Sequence, residues 1–306
     1  MRDKKASRTA LGVARALLFL STREGLAGLL PARAAEITKT LVFAASKAAQ
    51  REYRWMTKRW YRAMAGLNER VLVPGGTHHV GFRKRFIDDR VNEALADGAT
   101  QLVVFGAGFD TLATRVAEAR EDVRCLEIDH PATQALKRKG LTELEGARPN
   151  LHLVEVDFMK TSTDAVLESD ERYDPTMRTV FVAEGLLMYL PEEDVRRLFQ
   201  FVKTRAAPNS RVCFSFVGRH EDGRPRAGPH ERLMNTILKL VGEPFHWGVE
   251  PDRLGDFLAE EDFDLDRVAV DSQLAPLLLP DQSEWPPAFM DWELYGVADS
   301  RALAAE

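Results

Sequence analysis

The feature that most constrains the fold is a short apolar run, Gln101–Phe105 (QLVVF), that stops abruptly at Gly106-Ala107-Gly108-Phe109-Asp110-Thr111. A short apolar run bounded by glycine reads as a strand buried on both faces. The glycines let the backbone turn tightly and approach a ligand where a side chain would collide. A helix expected over about 111–119 then aims its N-terminus at the same space. The alternation recurs along the chain, with strands expected at 123–128, 151–156, 179–183, 211–217, 265–270 and 292–297. Helices are expected at 82–95, 131–139 and 252–260, and one more opens at Pro191, where Glu192, Glu193 and Asp194 complement the positive end of the helix dipole. Strands alternating with helices predict an α/β fold, a doubly wound, mostly parallel seven-stranded sheet covered on both faces.

In such sheets ligands bind beyond the carboxyl ends of the strands, and acids fall there repeatedly. A dinucleotide fingerprint would place a third glycine at position 111, where the chain has Thr111, which weakens a pyrophosphate site. Asp129 ends the second strand and could accept both hydroxyl hydrogens of an adenosine ribose. Asp157 and Phe158 follow the third strand, suited to an adenine amino group and ring face. Glu184 ends the fourth, where it could meet a cationic ligand group. Ala107, Asp110 and His130 lie in the same turns and join the candidate set. Taken singly, each acid is more commonly a solvated strand end or a helix cap; the glycine turn and three acids at four consecutive strand ends together favour a nucleoside pocket.

Charge divides the chain. Residues 1–79 hold 15 Lys and Arg against 5 Asp and Glu, a net of +10, and the rest carries −15. The reading adopted is a basic helical cap over 1–79 docked on an acidic domain spanning 80–306, with nucleic acid or an anionic membrane as the alternative partner. A helix expected over 47–63 sets Tyr53, Met56, Trp60 and Met64 on one apolar face. Pro74-Gly75-Gly76 marks a turn or boundary within 67–77. A Gly-, Pro-, His- and Arg-rich insertion at 218–250 is placed to form a lid, with a helix of its own at 232–241. The two cysteines, Cys125 and Cys213, sit in apolar runs and read as small core residues, and no metal-ligand spacing is present. Arg15 and Thr22-Arg23-Glu24 interrupt the N-terminal apolar stretch, so it reads as an amphipathic helix of a cytoplasmic protein rather than a signal peptide. No segment approaches the ~20 apolar residues of a membrane span.

The segments VFGAGFDTLATR, LEIDHPATQALKRK and VAEGLLMYLPEEDV resemble the leucine carboxyl methyltransferase family, which includes many bacterial small-molecule O-methyltransferases. Ser7-Arg8-Thr9-Ala10 and the block from Phe82 to Asp89 are similar to that family's N-terminal pieces. The resemblance runs from about residue 7 to 200. It implies a Rossmann-like class I methyltransferase fold with S-adenosylmethionine as cofactor. By position it implies that Arg83 pairs with the cofactor's methionine carboxylate, that Gly106 and Gly108 line it, that Asp129 takes the ribose, that Asp157 and Phe158 border adenine, and that Glu184 lies near the methionyl amine. Phe158 departs from the family's leucine but keeps an apolar face. Tyr189 and His246 are candidate substrate contacts. The implied function is O-methyl transfer to a small-molecule carboxylate or hydroxyl, with a protein carboxyl methyltransferase or an inactive nucleoside-binding protein as alternatives. No nucleic-acid partner is expected, and the oligomeric state is left open. His78, His79, His220, His230 and His246 read as surface or packing residues rather than a catalytic base.

Overall fold

The computed structural model of the chain describes residues 8–146, 148–156, 167, 170–228 and 230–301. The N-terminal region is helical: α1 (Arg8–Ser21), α2 (Ala34–Ala45), α3 (Lys47–Met56), α4 (Arg59–Leu72) and α5 (Gly76–Ala96). Strands and helices then alternate as β1 (Gln101–Phe105), α6 (Leu112–Ala119), β2 (Arg124–Asp129), α7 (Pro131–Leu141), β3 (Leu151–Glu155) and β4 (Thr179–Ala183). The remainder holds α8 (Glu192–Arg205), β5 (Arg211–Val217), α9 (Glu231–Val241), α10 (Leu254–Glu260), β6 (Phe263–Ala269), α11 (Asp271–Leu278) and β7 (Glu293–Ser300).

The seven strands form one sheet in the order β3-β2-β1-β4-β5-β7-β6. β1 to β5 pair in parallel, and β7 runs antiparallel between β5 and β6. Alternation along each strand sends residues to opposite faces. In β1, Val103 and Phe105 join the core beneath α8 and α10, whereas Leu102 and Val104 join the core beneath α5 and α6. β4 divides in the same way, with Phe181 and Ala183 on one face and Val180 and Val182 on the other. Cys125 and Cys213 are buried and unpaired, as small core residues.

The N-terminal helices depart from expectation in two respects. The helix expected over 47–63 breaks at Thr57 and Lys58, where Lys58 is extended (φ −82°, ψ 138°). The break lets Tyr61 turn back and donate to Glu52 at 2.5 Å, so the expected single stripe is split. Met56 is buried, whereas Trp60 and Met64 point to solvent. The turn expected across 67–77 contracts to residues 73–75, and α5 runs unbroken from Gly76 through residues 79 and 80. Among the described cations before residue 79, Arg33 reaches a carboxylate of the sheet domain, Glu118, while Arg15 pairs locally with Glu52. Among the described residues no helix is long and apolar enough to cross a membrane.

Candidate functional site

β1 lies between β2 and β4, so the helices after β1 and β4 leave toward opposite faces and open a crevice at the strands' carboxyl ends. A cavity of about 290 Å³ occupies this crevice. Its strand-end wall is Gly106, Ala107, Gly108, Asp110, Asp129, His130 and Glu184 with Arg83 of α5, and its opposite wall comes from α1 and from residues 242–246. Gly106 and Gly108 have φ of +62° and +51°. A Cβ on either would come within 3.0 Å of Leu186 or Ala10, respectively. The positive φ favours glycine at both, and a side chain there would also crowd its neighbour.

Asp129 sits at the tip of β2 with its carboxylate accepting the backbone N–H groups of Gly108 and His130. Burial pushes its pKa up, against those two hydrogen bonds. Each carboxylate oxygen retains accepting capacity for a ligand hydroxyl. His130 caps α7 by accepting the Ala132 N–H through Nδ1 at 3.2 Å. Behind this tip, Glu127 and Lys137 form a fully buried ion pair, and burial pushes Glu127 up to about 7. Lys137 also donates to the Asp110 carbonyl at 2.6 Å, bracing the glycine turn.

The other charged group is centred on α5. Arg83 donates through Nε to Glu184 at 2.9 Å and through Nη1 to Glu293 at 2.7 Å. Lys84 lies 3.0 Å from both Asp110 and Glu184. Burial pulls against the charge of Arg83, but Glu293 and Glu184 outweigh it and hold the guanidinium protonated. Burial likewise pushes Asp110 up, yet Lys84, Lys137 and Arg115 bring it down to about 2. Glu293 is held well below the usual carboxylate range, since Arg83 and His79 overcome its burial.

Of the histidines expected at the surface or in packing, His79 is a buried one. It is 3% exposed, with Nδ1 at 3.0 Å from Asp271 and Nε2 at 2.8 Å from Glu293. Tyr295 donates to Asp271 in the same cluster. Burial disfavours the imidazolium, but the two carboxylates raise its pKa to about 9. His78 is also buried, 3.1 Å from the Glu284 carbonyl. Helix α5 carries both histidines inward because it begins six residues before the helix expected there.

Tyr189 and His246 both line the cavity. Tyr189 packs edge-on against Phe245 with ring centroids 5.2 Å apart, and burial raises its hydroxyl pKa. His246 is exposed, and its backbone N–H donates to the Met188 carbonyl at 2.7 Å. Asp157 and Phe158 lie outside the described residues. Sequence reasoning missed Lys84, Glu293, Thr9 and Glu243, all of which line the cavity. Lys84 adjoins Arg83 and could have been included with it. Glu293 could have been noticed as an acid opening an apolar strand. Thr9 donates to Glu243, joining α1 to the 218–250 insertion across the cavity, and no local pattern announces that contact.

A family model for leucine carboxyl methyltransferase matches residues 33–203. A Streptomyces avermitilis protein, named as a candidate S-adenosyl-L-methionine-dependent methyltransferase, is 36% identical over 168 residues, covering 54% of this chain and 58% of its own. A Mycolicibacterium smegmatis protein with the same description is 32% identical over 184 residues, covering 58% of this chain and 60% of its own. These alignments span less than two thirds of either relative. Among solved structures, a candidate methyltransferase from Thermobifida fusca superposes with a TM-score of 0.55 at 18% identity, covering 79% of this chain and 88% of that one, which bears on the fold alone.

Proposed function

Because the chain belongs to the leucine carboxyl methyltransferase family, we propose that it is an S-adenosylmethionine-dependent O-methyltransferase acting on a small-molecule carboxylate or hydroxyl. The observation that carries this reading is the charge balance of the cavity. Among the described residues its lining holds five carboxylates, Asp110, Asp129, Glu184, Glu243 and Glu293, against the cations Arg83 and Lys84. An acid-rich cavity suits a ligand bearing a sulfonium and an ammonium, and it disfavours the pyrophosphate of a dinucleotide. The glycine cradle at Gly106 and Gly108 leaves room for close approach of a nucleoside.

In this proposal Asp129 accepts the ribose hydroxyls and Glu184 faces the ammonium. Arg83, fixed on two sides by Glu184 and Glu293, presents its remaining edge to the methionine carboxylate, a planar match that an ammonium cannot make. The bound cofactor supplies a methyl group already activated by its positive sulfur. The protein's task is then alignment and exclusion of water. Ala10, Val13, Ala14 and Leu17 of α1, with Met188 and Phe245, offer an apolar wall for the acceptor, and the Thr9 to Glu243 hydrogen bond holds that wall closed. A carboxylate acceptor is ionised at neutral pH and needs no base. A hydroxyl acceptor needs one, and among the described residues His130 and His246 are the imidazoles lining the cavity.

Thermal melts test cofactor class first. S-adenosylhomocysteine should raise Tm, with about 2.7 kcal/mol of stabilisation at a hundredfold excess over Kd, and NAD should leave it unchanged; the opposite pattern sinks the proposal. A labelled-methyl screen over small acids, phenols and peptides then identifies the acceptor, and transfer to peptides alone would redirect the reading to protein carboxyl methylation.

A further inference from the structure

Helices α3 and α4 carry a face that the proposed reaction does not use. Trp60, Met64, Leu67 and Val71 recur at steps of four, three and four, so they share one side of α4. All four are exposed, by 57%, 46%, 63% and 58%. Trp55 extends this strip, half exposed, with its ring centroid 6.1 Å from that of Trp60. Arg51, Arg54, Lys58, Arg59 and Arg70 surround it, exposed and with no carboxylate within 4.0 Å among the described residues. The two acids of these helices are turned away. Glu52 is engaged by Arg15 and Tyr61, and Glu69 accepts the Thr77 N–H at 2.9 Å.

The result is a strip of large apolar side chains in a field of one sign. In water both features are unfavourable, since the apolar area is hydrated and the cations repel one another. A second copy docked through the same face would oppose like charges. A nucleic acid would satisfy the cations and stack on the indoles, yet leave Met64, Leu67 and Val71 against phosphate and water. An anionic bilayer offers hydrocarbon at the depth of the strip and phosphate at the level of the flanking cations, and indoles favour that interface.

We propose that the α3–α4 face docks the protein on an anionic lipid bilayer, with α4 lying in the plane of the interface. α3 packs on α1 through the Arg15 to Glu52 pair, and the same α1 lines the cavity with Val13 and Ala14. Docking therefore acts on the helix that walls the acceptor side.

The test is sedimentation of the full chain with phosphatidylcholine vesicles and with vesicles in which part of that lipid is replaced by phosphatidylglycerol. Binding is expected to the anionic vesicles and to weaken with salt. Trp60→Glu/Met64→Glu and Arg54→Glu/Arg59→Glu should each lower the affinity roughly tenfold or more. Melting temperature and S-adenosylhomocysteine binding of both variants report that the fold is intact. Binding to neutral and anionic vesicles alike, or affinity unchanged in both variants, overturns the proposal. So does retention on heparin or duplex DNA without vesicle binding, which assigns the face to nucleic acid. A concentration-dependent dimer lost in Trp60→Glu/Met64→Glu, again without vesicle binding, assigns it to self-association.

Discussion

The cavity and the α3–α4 face use the same kinds of residue under opposite conditions. Around the cavity, Arg83 and His79 are buried and Lys84 is partly buried, and each lies within hydrogen-bonding distance of carboxylates. On α3, α4 and the turn between them, Arg51, Arg54, Lys58, Arg59 and Arg70 stand in solvent beside exposed Trp55 and Trp60. A buried charge is tolerated only when its partners are supplied by the fold, so removing one member leaves another stranded. An exposed charge is solvated by water and contributes little to stability. Fold maintenance and ligand recognition should therefore be coupled at the cavity and separable on the outer face.

Arg83→Ala should produce the largest effect. It leaves Glu184 with Lys84 and Glu293 with His79 as their remaining cations and is expected to cost at most about 3–5 kcal/mol in stability, read as a lowered denaturant midpoint, together with loss of S-adenosylhomocysteine binding. Arg83→Lys should recover part of the stability and little of the binding. Equal binding by the lysine variant and the parent would separate fold from ligand and undo the coupling.

His79 tests the same coupling through pH. Its pKa of about 9 lies above the unfolded value of 6.5. Its contribution should be fully present below pH 6.5 and lost as pH rises through 9, amounting to at most about 3 kcal/mol. Tm of the parent should fall relative to His79→Gln across that window. Parallel curves for the two proteins would show that the imidazole is not charged in the fold.

For Asp129→Ala, calorimetry should show S-adenosylhomocysteine affinity weakened by roughly 1.5–3 kcal/mol, the loss expected for hydrogen bonds to an ionised acceptor. Unchanged affinity would remove Asp129 from the ribose site. The smallest effect is expected from Trp60→Ser, which should shift stability by no more than about 0.5 kcal/mol because the side chain is solvated in the fold. A larger loss would mean that the outer face supports the fold after all.

Most of the sheet was legible locally. The strand β1 coincides with its expected bounds because it is buried on both sides and therefore uniformly apolar, and glycine marks its end. β7 was foreseen as a strand but not as antiparallel or as long, since its pairing with β5 and β6 is a relation between distant segments. The break at Thr57 and Lys58 was missed because the helical periodicity of apolar residues continues through it. The break brings Tyr61 and Arg62 back to Glu52 and Met56, polar contacts close in sequence that a reading of apolar periodicity does not register.

Sequence by itself determined the strand and helix alternation, the glycine turn after β1, and the acids at Asp129 and Glu184, because each follows from short-range steric and periodic rules. Tertiary structure decided which charges are paired. Arg83 meets Glu293 across 210 positions, and His79 meets Asp271 across 192. It also decided that the cations of α3 and α4 stay in solvent. Electrostatic partnership depends on distance and burial, and both are set only when the chain has closed on itself.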